Sequence, residues 1–185
     1  MAELGRIGPL DGTATEGAHP TARLRVLPPA AQFIFRGPPD AATLAGTACG
    51  VALRLAACRA AEGGGRAALW LGPDEFLVLA PAEEENAIEA AIAGSLGAIP
   101  HSLVSVSHRN TALEVSGTHA ACLLNAGCPL DLDDAACPIG MCTRTVLAKA
   151  PIVLWRTAAD VFYVSSWRSF APYVWEFLVE ARMRL

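Results

Sequence analysis

Lysine is almost absent from this chain of 185 residues: Lys149 stands alone, so every other fixed positive charge is an arginine. Charged residues of both signs make up only 17%, and 14 basic against 18 acidic groups leave a net charge of −4. So even a balance, with no basic stripe, excludes a protein that holds a phosphate backbone electrostatically. Long apolar runs are missing as well; none approaches the roughly 20 residues of a bilayer span. The N-terminus has neither the basic start nor the unbroken apolar stretch of a secretory leader. The expected compartment is the cytoplasm, where thiols stay reduced.

Motifs that carry chemistry are also wanting. Gly63-Gly64-Gly65 lacks the later glycine and the Lys-Ser/Thr pair of a phosphate loop, and precedes a strand. No Gly-x-Ser-x-Gly elbow occurs. Cys49, Cys58, Cys122, Cys128, Cys137 and Cys142 contain no C-x2-C pair, and no histidine cluster completes a metal set. Cys122, on a helix beside Leu123 and Leu124, reads as a buried small apolar residue. Cys128 and Cys137 flank a loop, where a thiol can reach solvent. Ser107-His108 looks like a nucleophile and its base, but neighbours on a strand point to opposite faces. His19, His101 and His119 are isolated. Asp131, Asp133 and Asp134 lack calcium-loop spacing and read as a solvated loop. No catalytic, cofactor-binding or metal-binding residue is assigned.

What is present is pattern. Residues 1–23, rich in Gly, Ala, Thr and Pro without periodicity, read as a flexible arm, and 24–185 as one domain. Residues 32–36 form an apolar strand ended by Gly37, and Pro38-Pro39-Asp40 opens a helix over 41–49 that Gly50 ends. Val51, Leu53 and Leu55 alternate as a half-buried strand does. Strands over 67–71 and 76–80 flank the turn Gly72-Pro73-Asp74-Glu75. Glu83-Glu84-Glu85 put negative charge at the start of a helix with the stripe Ile88, Ala91, Ile92 and Leu96.

The second half repeats this order: a strand over 112–116 ended by Gly117, a helix over 118–126, a strand over 142–147, and a hairpin of 152–156 with 161–164. A final helix follows, capped by Ser169, with Pro172 in its first turn. Gly37 matches Gly117, and Trp70 matches Trp155. We read duplicated β-α-β-β-β-α units, about 31–97 and 109–185, in an α+β fold of antiparallel sheets with helices packed on them.

Hydrophobic residues make up 53% and mean hydropathy is +0.37, a surplus that points to apolar surface for a partner to cover. The last helix focuses this. Phe170, Tyr173, Val174, Phe177, Leu178 and Ala181 form one apolar face, while Trp175 and Val179 lie on a second. Trp175, Val179 and the nearby Arg168 are therefore the candidate partner contacts, unless a segment such as 24–27 supplies the second cover.

Several stretches in order resemble one family. They include Ala68-Leu69-Trp70-Leu71-Gly72-Pro73-Asp74-Glu75, Val106-Ser107-His108-Arg109, Gly127-Cys128-Pro129-Leu130-Asp131-Leu132 and Trp167-Arg168-Ser169-Phe170-Ala171-Pro172-Tyr173. They are similar to the gamma subunit of heterotetrameric sarcosine oxidase, and more distantly to the folate-binding domain of glycine-cleavage aminomethyltransferases. The resemblance implies partners (alpha, beta and delta subunits) in a complex that oxidatively demethylates sarcosine to glycine. NAD, FAD, FMN, tetrahydrofolate and zinc are implied in those partners and no cofactor in this chain. The aminomethyltransferase pattern places a catalytic aspartate within the stretch Lys149-Ala150-Pro151-Ile152-Val153 and an asparagine near Ser165-Ser166. Neither is present, and without an acid to manage the proton one-carbon transfer has no catalyst. Two functions follow: a non-catalytic gamma subunit supporting assembly, or a free-standing folate-binding module.

Overall fold

A computed structural model describes residues 8–12, 21–53 and 56–185. Both halves follow the expected order. The first runs β1 (Arg23–Val26), β2 (Ala30–Arg36), α1 (Pro39–Cys49), β3 (Ala60–Gly63), β4 (Arg66–Gly72), β5 (Glu75–Pro81), a 3-10 turn (Ala82–Glu84) and α2 (Glu85–Leu96). The second runs β6 (Ser102–Ser105), β7 (Asn110–Ser116), α3 (Ala120–Asn125), β8 (Cys142–Leu147), β9 (Ala150–Ala158), β10 (Val161–Trp167) and α4 (Ala171–Arg182). The duplicated unit is thus preceded, each time, by a short lead strand that the sequence pattern did not show.

Those lead strands are exchanged. One antiparallel sheet has the order β3-β4-β5-β2-β6 and the other β1-β7-β10-β9-β8, so β1 joins the second sheet and β6 the first. Arg25 and Glu114 form an ion pair across the β1–β7 junction at 2.6 Å. Phe33 and Ser105 are in register across β2–β6. Neither sheet is complete without a strand from the other half.

The layers are helix, sheet, sheet, helix. Phe33, Phe35, Phe76 and Val78 pack with α1 and α2. Leu113, Val115, Phe162 and Val164 pack with α3 and α4. The alternate residues of the same strands, among them Leu77, Leu79, Trp155 and Tyr163, form a third cluster between the sheets. Central strands buried on both faces read as unbroken apolar runs, and this double burial absorbs much of the hydrophobic surplus that was expected to lie on the surface.

Several local expectations are corrected. Val51 and Leu53 are buried but not in a strand. The chain folds back over α1, with the Val51 amide donating to Gly46 O at 3.1 Å. A Cβ on Gly46 would come within 2.9 Å of Leu53 N, so only glycine admits this approach. Leu55 lies outside the described residues. Ser169 does not cap α4: Phe170 holds that place, without a side-chain bond. Ala91 is exposed, so the buried stripe of α2 is Ile88, Ile92 and Leu96. Of the expected N-terminal arm, 1–7 and 13–20 lie outside the described residues. Leu10 is 5% exposed and shares the α3–α4 cluster with Ala22 and Leu24.

Candidate functional site

Two clefts open between the sheets and meet at Asn110. The first, about 290 Å³, is lined by Leu27, Gln32, Ser107, Tyr163 and Arg168 among others. Its polar wall is a crosslink between the halves. Ser107 Oγ donates to Glu85 Oε1 at 2.9 Å and accepts from the Gln32 amide at 2.9 Å. Ser105 Oγ donates to the same carboxylate oxygen at 2.6 Å. Asn110 Nδ2 reaches Gln32 Oε1 at 3.3 Å. Ser107-His108, expected on a strand, occupies instead the turn between β6 and β7, where the Arg109 amide donates to Val106 O. Ser107 is buried in this network while His108 points to the exposed side of the turn. A hydroxyl that already donates to a carboxylate and accepts a backbone amide serves architecture. Tyr163 lies beside Trp155 with ring centroids 6.0 Å apart, and burial pushes its hydroxyl up to about 12.

The second cleft, about 250 Å³, has Ile34, Leu77 and Val153 on its walls and Arg109, Arg144 and Trp167 around it. It also gathers Pro151, Val153 and Ser165, from the two stretches in which the aminomethyltransferase pattern would put its acid and its amide. The fold brings these positions together; the side chains there are apolar or hydroxyl. Among the described residues no Asp or Glu lines this cleft. Arg144 is bound in a fork to Glu75, one contact being 3.0 Å, and this holds the Glu75 carboxyl below its usual range.

The proposed partner contacts fare differently. Trp175 is 4% exposed and belongs to the α3–α4 core, which removes the exposed second face assigned to it. The buried stripe of α4 is Ala171, Val174, Trp175, Leu178 and Arg182, at helical spacing. Spacing of the aromatic residues alone would set the phase of the helix with Phe170, Tyr173 and Phe177 inward. The structure sets it by fit, leaving Tyr173 38% exposed and Phe170 and Phe177 half-buried. Val179 is half-buried against the same cluster, and Arg168 is exposed.

The thiols also exchange roles. Cys122 is exposed, because residues 120, 123 and 124 take the core side of α3, whereas Cys128 and Cys137 are buried. Burial raises Cys49 and Cys137 and pushes Cys142 up to about 12. The Asp131–Asp134 loop is held by local bonds: Asp131 Oδ1 accepts the Asp133 amide at 3.0 Å, and Asp134 pairs with buried Arg156. Arg156 also donates to Cys137 O at 2.8 Å, tying loop to sheet. His101 and His119 are exposed on separate elements, and His19 lies outside the described residues.

Comparison with known proteins matches residues 36–184 to the sarcosine oxidase, gamma subunit family. Sarcosine oxidase subunit gamma of Corynebacterium sp. (strain P-1) is 38% identical over 117 residues, 63% of this chain and 57% of that one. The match therefore spans little more than half of that relative. A chain of heterotetrameric sarcosine oxidase from Corynebacterium sp. U-96, solved with pyrrole 2-carboxylate, superposes with a TM-score of 0.88. Identity there is 31%, covering 97% of this chain and 95% of that one. Glycine cleavage system aminomethyltransferase T from Bartonella henselae matches at a TM-score of 0.63 and 15% identity, over 88% of this chain and 46% of its own; this likeness is one of fold.

Proposed function

This chain belongs to the sarcosine oxidase, gamma subunit family, and from that premise we propose that it is the non-catalytic gamma subunit of a heterotetrameric sarcosine oxidase. Its partners are alpha, beta and delta subunits, and its role is to support assembly of the complex that oxidatively demethylates sarcosine to glycine. NAD, FAD, FMN, tetrahydrofolate and zinc belong to those partners in this reading, and the compartment is the cytoplasm. Among the described residues no helix is long and apolar enough to cross a membrane, which agrees with that compartment.

One observation carries the non-catalytic part. Among the described residues the cleft that gathers Pro151, Val153 and Ser165 offers no carboxylate to take or deliver the proton that one-carbon transfer moves. The exchange of lead strands supports treating the chain from β1 onward as one folding unit of two pseudo-repeats, about 31–97 and 109–185, with Leu10 and Ala22 packed on its core.

Co-expression of the tagged chain with the three other subunits tests the proposal. Capture of all three in equal amounts, with a flavin spectrum in the complex and none in the isolated chain, is the expected result. An isolated chain that captures no subunit and binds tetrahydrofolate saturably overturns it in favour of a free-standing folate module.

A further inference from the structure

We propose that the cleft bordered by Trp167 and Arg109 is a docking surface for an acidic segment of a partner subunit; this rests on the gamma-subunit reading above. Trp167 ends β10 and is 49% exposed, an unusual position for so large an apolar side chain. It is not loosely held. Phe170 lies against it, ring centroids 6.2 Å apart, and Trp167 is in register with Asn110 of β7. The next amide, of Arg168, donates to Arg109 O at 2.8 Å. The backbone on both sides of the cleft mouth is thus fixed before any partner arrives, which lowers the entropy cost of binding.

The charge at the cleft points to the occupant. The chain has more acids than bases, yet among the described residues the cleft is lined by two arginines and no acid. Arg25, Arg36, Arg66, Arg144, Arg156 and Arg184 each pair with a carboxylate. Among the described residues no carboxylate pairs with Arg109; its Nε donates to the neutral Asn110 Oδ1 at 3.4 Å. A planar guanidinium takes a carboxylate in a two-point fork, and Ile34, Leu77 and Val153 give the same cleft apolar walls. An acidic side chain on Arg109 with an apolar neighbour on Trp167 satisfies both features. Trp and Arg are also the residues that most often dominate interfaces.

The test uses the co-expressed complex with Trp167→Ala, Arg109→Gln and a control, Leu44→Ala, which alters an exposed residue of α1. Trp167→Ala should weaken subunit capture about 25-fold, while Leu44→Ala leaves it unchanged. Raising the salt from about 0.05 M to about 0.5 M should weaken the wild type more than Arg109→Gln, because the variant has no ion pair left to screen. Read as a fold-change, that difference cannot arise from misfolding, since a variant folded in only a fraction of its molecules loses affinity by one constant factor and keeps the wild-type salt dependence. If the wild type captures its subunits and both variants match it, the docking proposal is wrong and the subunit reading stands. If the wild type captures none, both are wrong. If the isolated chain is a dimer that Arg109→Gln dissociates, the occupant is a second copy, and the proposal is likewise overturned.

Discussion

Replacing Trp175 by alanine should cost about 4 kcal/mol of folding stability, whereas the same change at Trp167, about half of whose surface already meets solvent, should cost roughly 2 kcal/mol. The two residues lie eight apart at the C-terminal end, both large and aromatic, and differ in burial: 4% against 49% exposed. A tryptophan buries roughly 150–250 Å², which at about 25 cal/mol per Å² is some 4–6 kcal/mol of transfer free energy. The range for large-to-alanine changes of buried aromatics, about 3–5 kcal/mol, agrees. A domain of this kind is stable by about 5–15 kcal/mol, so the loss is a sizeable share of the whole. Urea unfolding followed by far-ultraviolet circular dichroism measures it. With a slope near 2 kcal/mol per molar urea, the Trp175→Ala midpoint should fall by about 2 M. A shift under about 0.5 M, or an equal shift for Trp167→Ala, would refute the assignment of Trp175 to the core.

Gly117→Ala should destabilise the fold by about 3 kcal/mol or more, read from its melting temperature, because Gly117 has φ of 117° and a Cβ there would lie 2.5 Å from Thr21 O. Glu75→Gln should cost up to about 1 kcal/mol at pH 7 and nothing once the pH has fallen below the folded-state pKa of Glu75. Arg144 lowers the folded-state pKa of Glu75, so its contribution exists above the unfolded value and is lost as pH falls through the folded one; a difference that does not shrink as the pH is lowered would contradict this. Titration with a thiol reagent should label exposed Cys122 fast, leave buried Cys49, Cys128, Cys137 and Cys142 slow, and count six free thiols in denatured protein never exposed to oxidant. Cys122→Ser should abolish the fast phase, and a fast phase that survives would show the exposed thiol to be another.

Local chemistry determined much of this protein. Gly37, Gly50 and Gly117 mark where elements stop, Gly72-Pro73-Asp74-Glu75 turns a hairpin, and the alternating order of strands and helices appears twice along the chain. The absence of an acid from the Lys149-Ala150-Pro151-Ile152-Val153 stretch already argued against one-carbon chemistry. These features act over a few residues, so a linear reading captures them.

Tertiary structure decided the rest, because it depends on pairings that local periodicity does not encode. β1 and β6 have four residues each, too few for a clear alternation, and each gains its place from a partner strand in the other half of the chain. Arg25 meets Glu114 across 89 positions. Leu10 and Leu24 join the cluster that covers Trp175, so a residue placed on an outward face by helical spacing is buried. The turn of α3 that buries Leu123 and Leu124 presents Cys122 to solvent. The approach of the two sheets then sets Arg109 and Trp167 on one cleft, although 58 positions separate them in the chain (167 less 109). Spacing along one helix fixes which residues share a face; only the packing of the sheets fixes which face is covered.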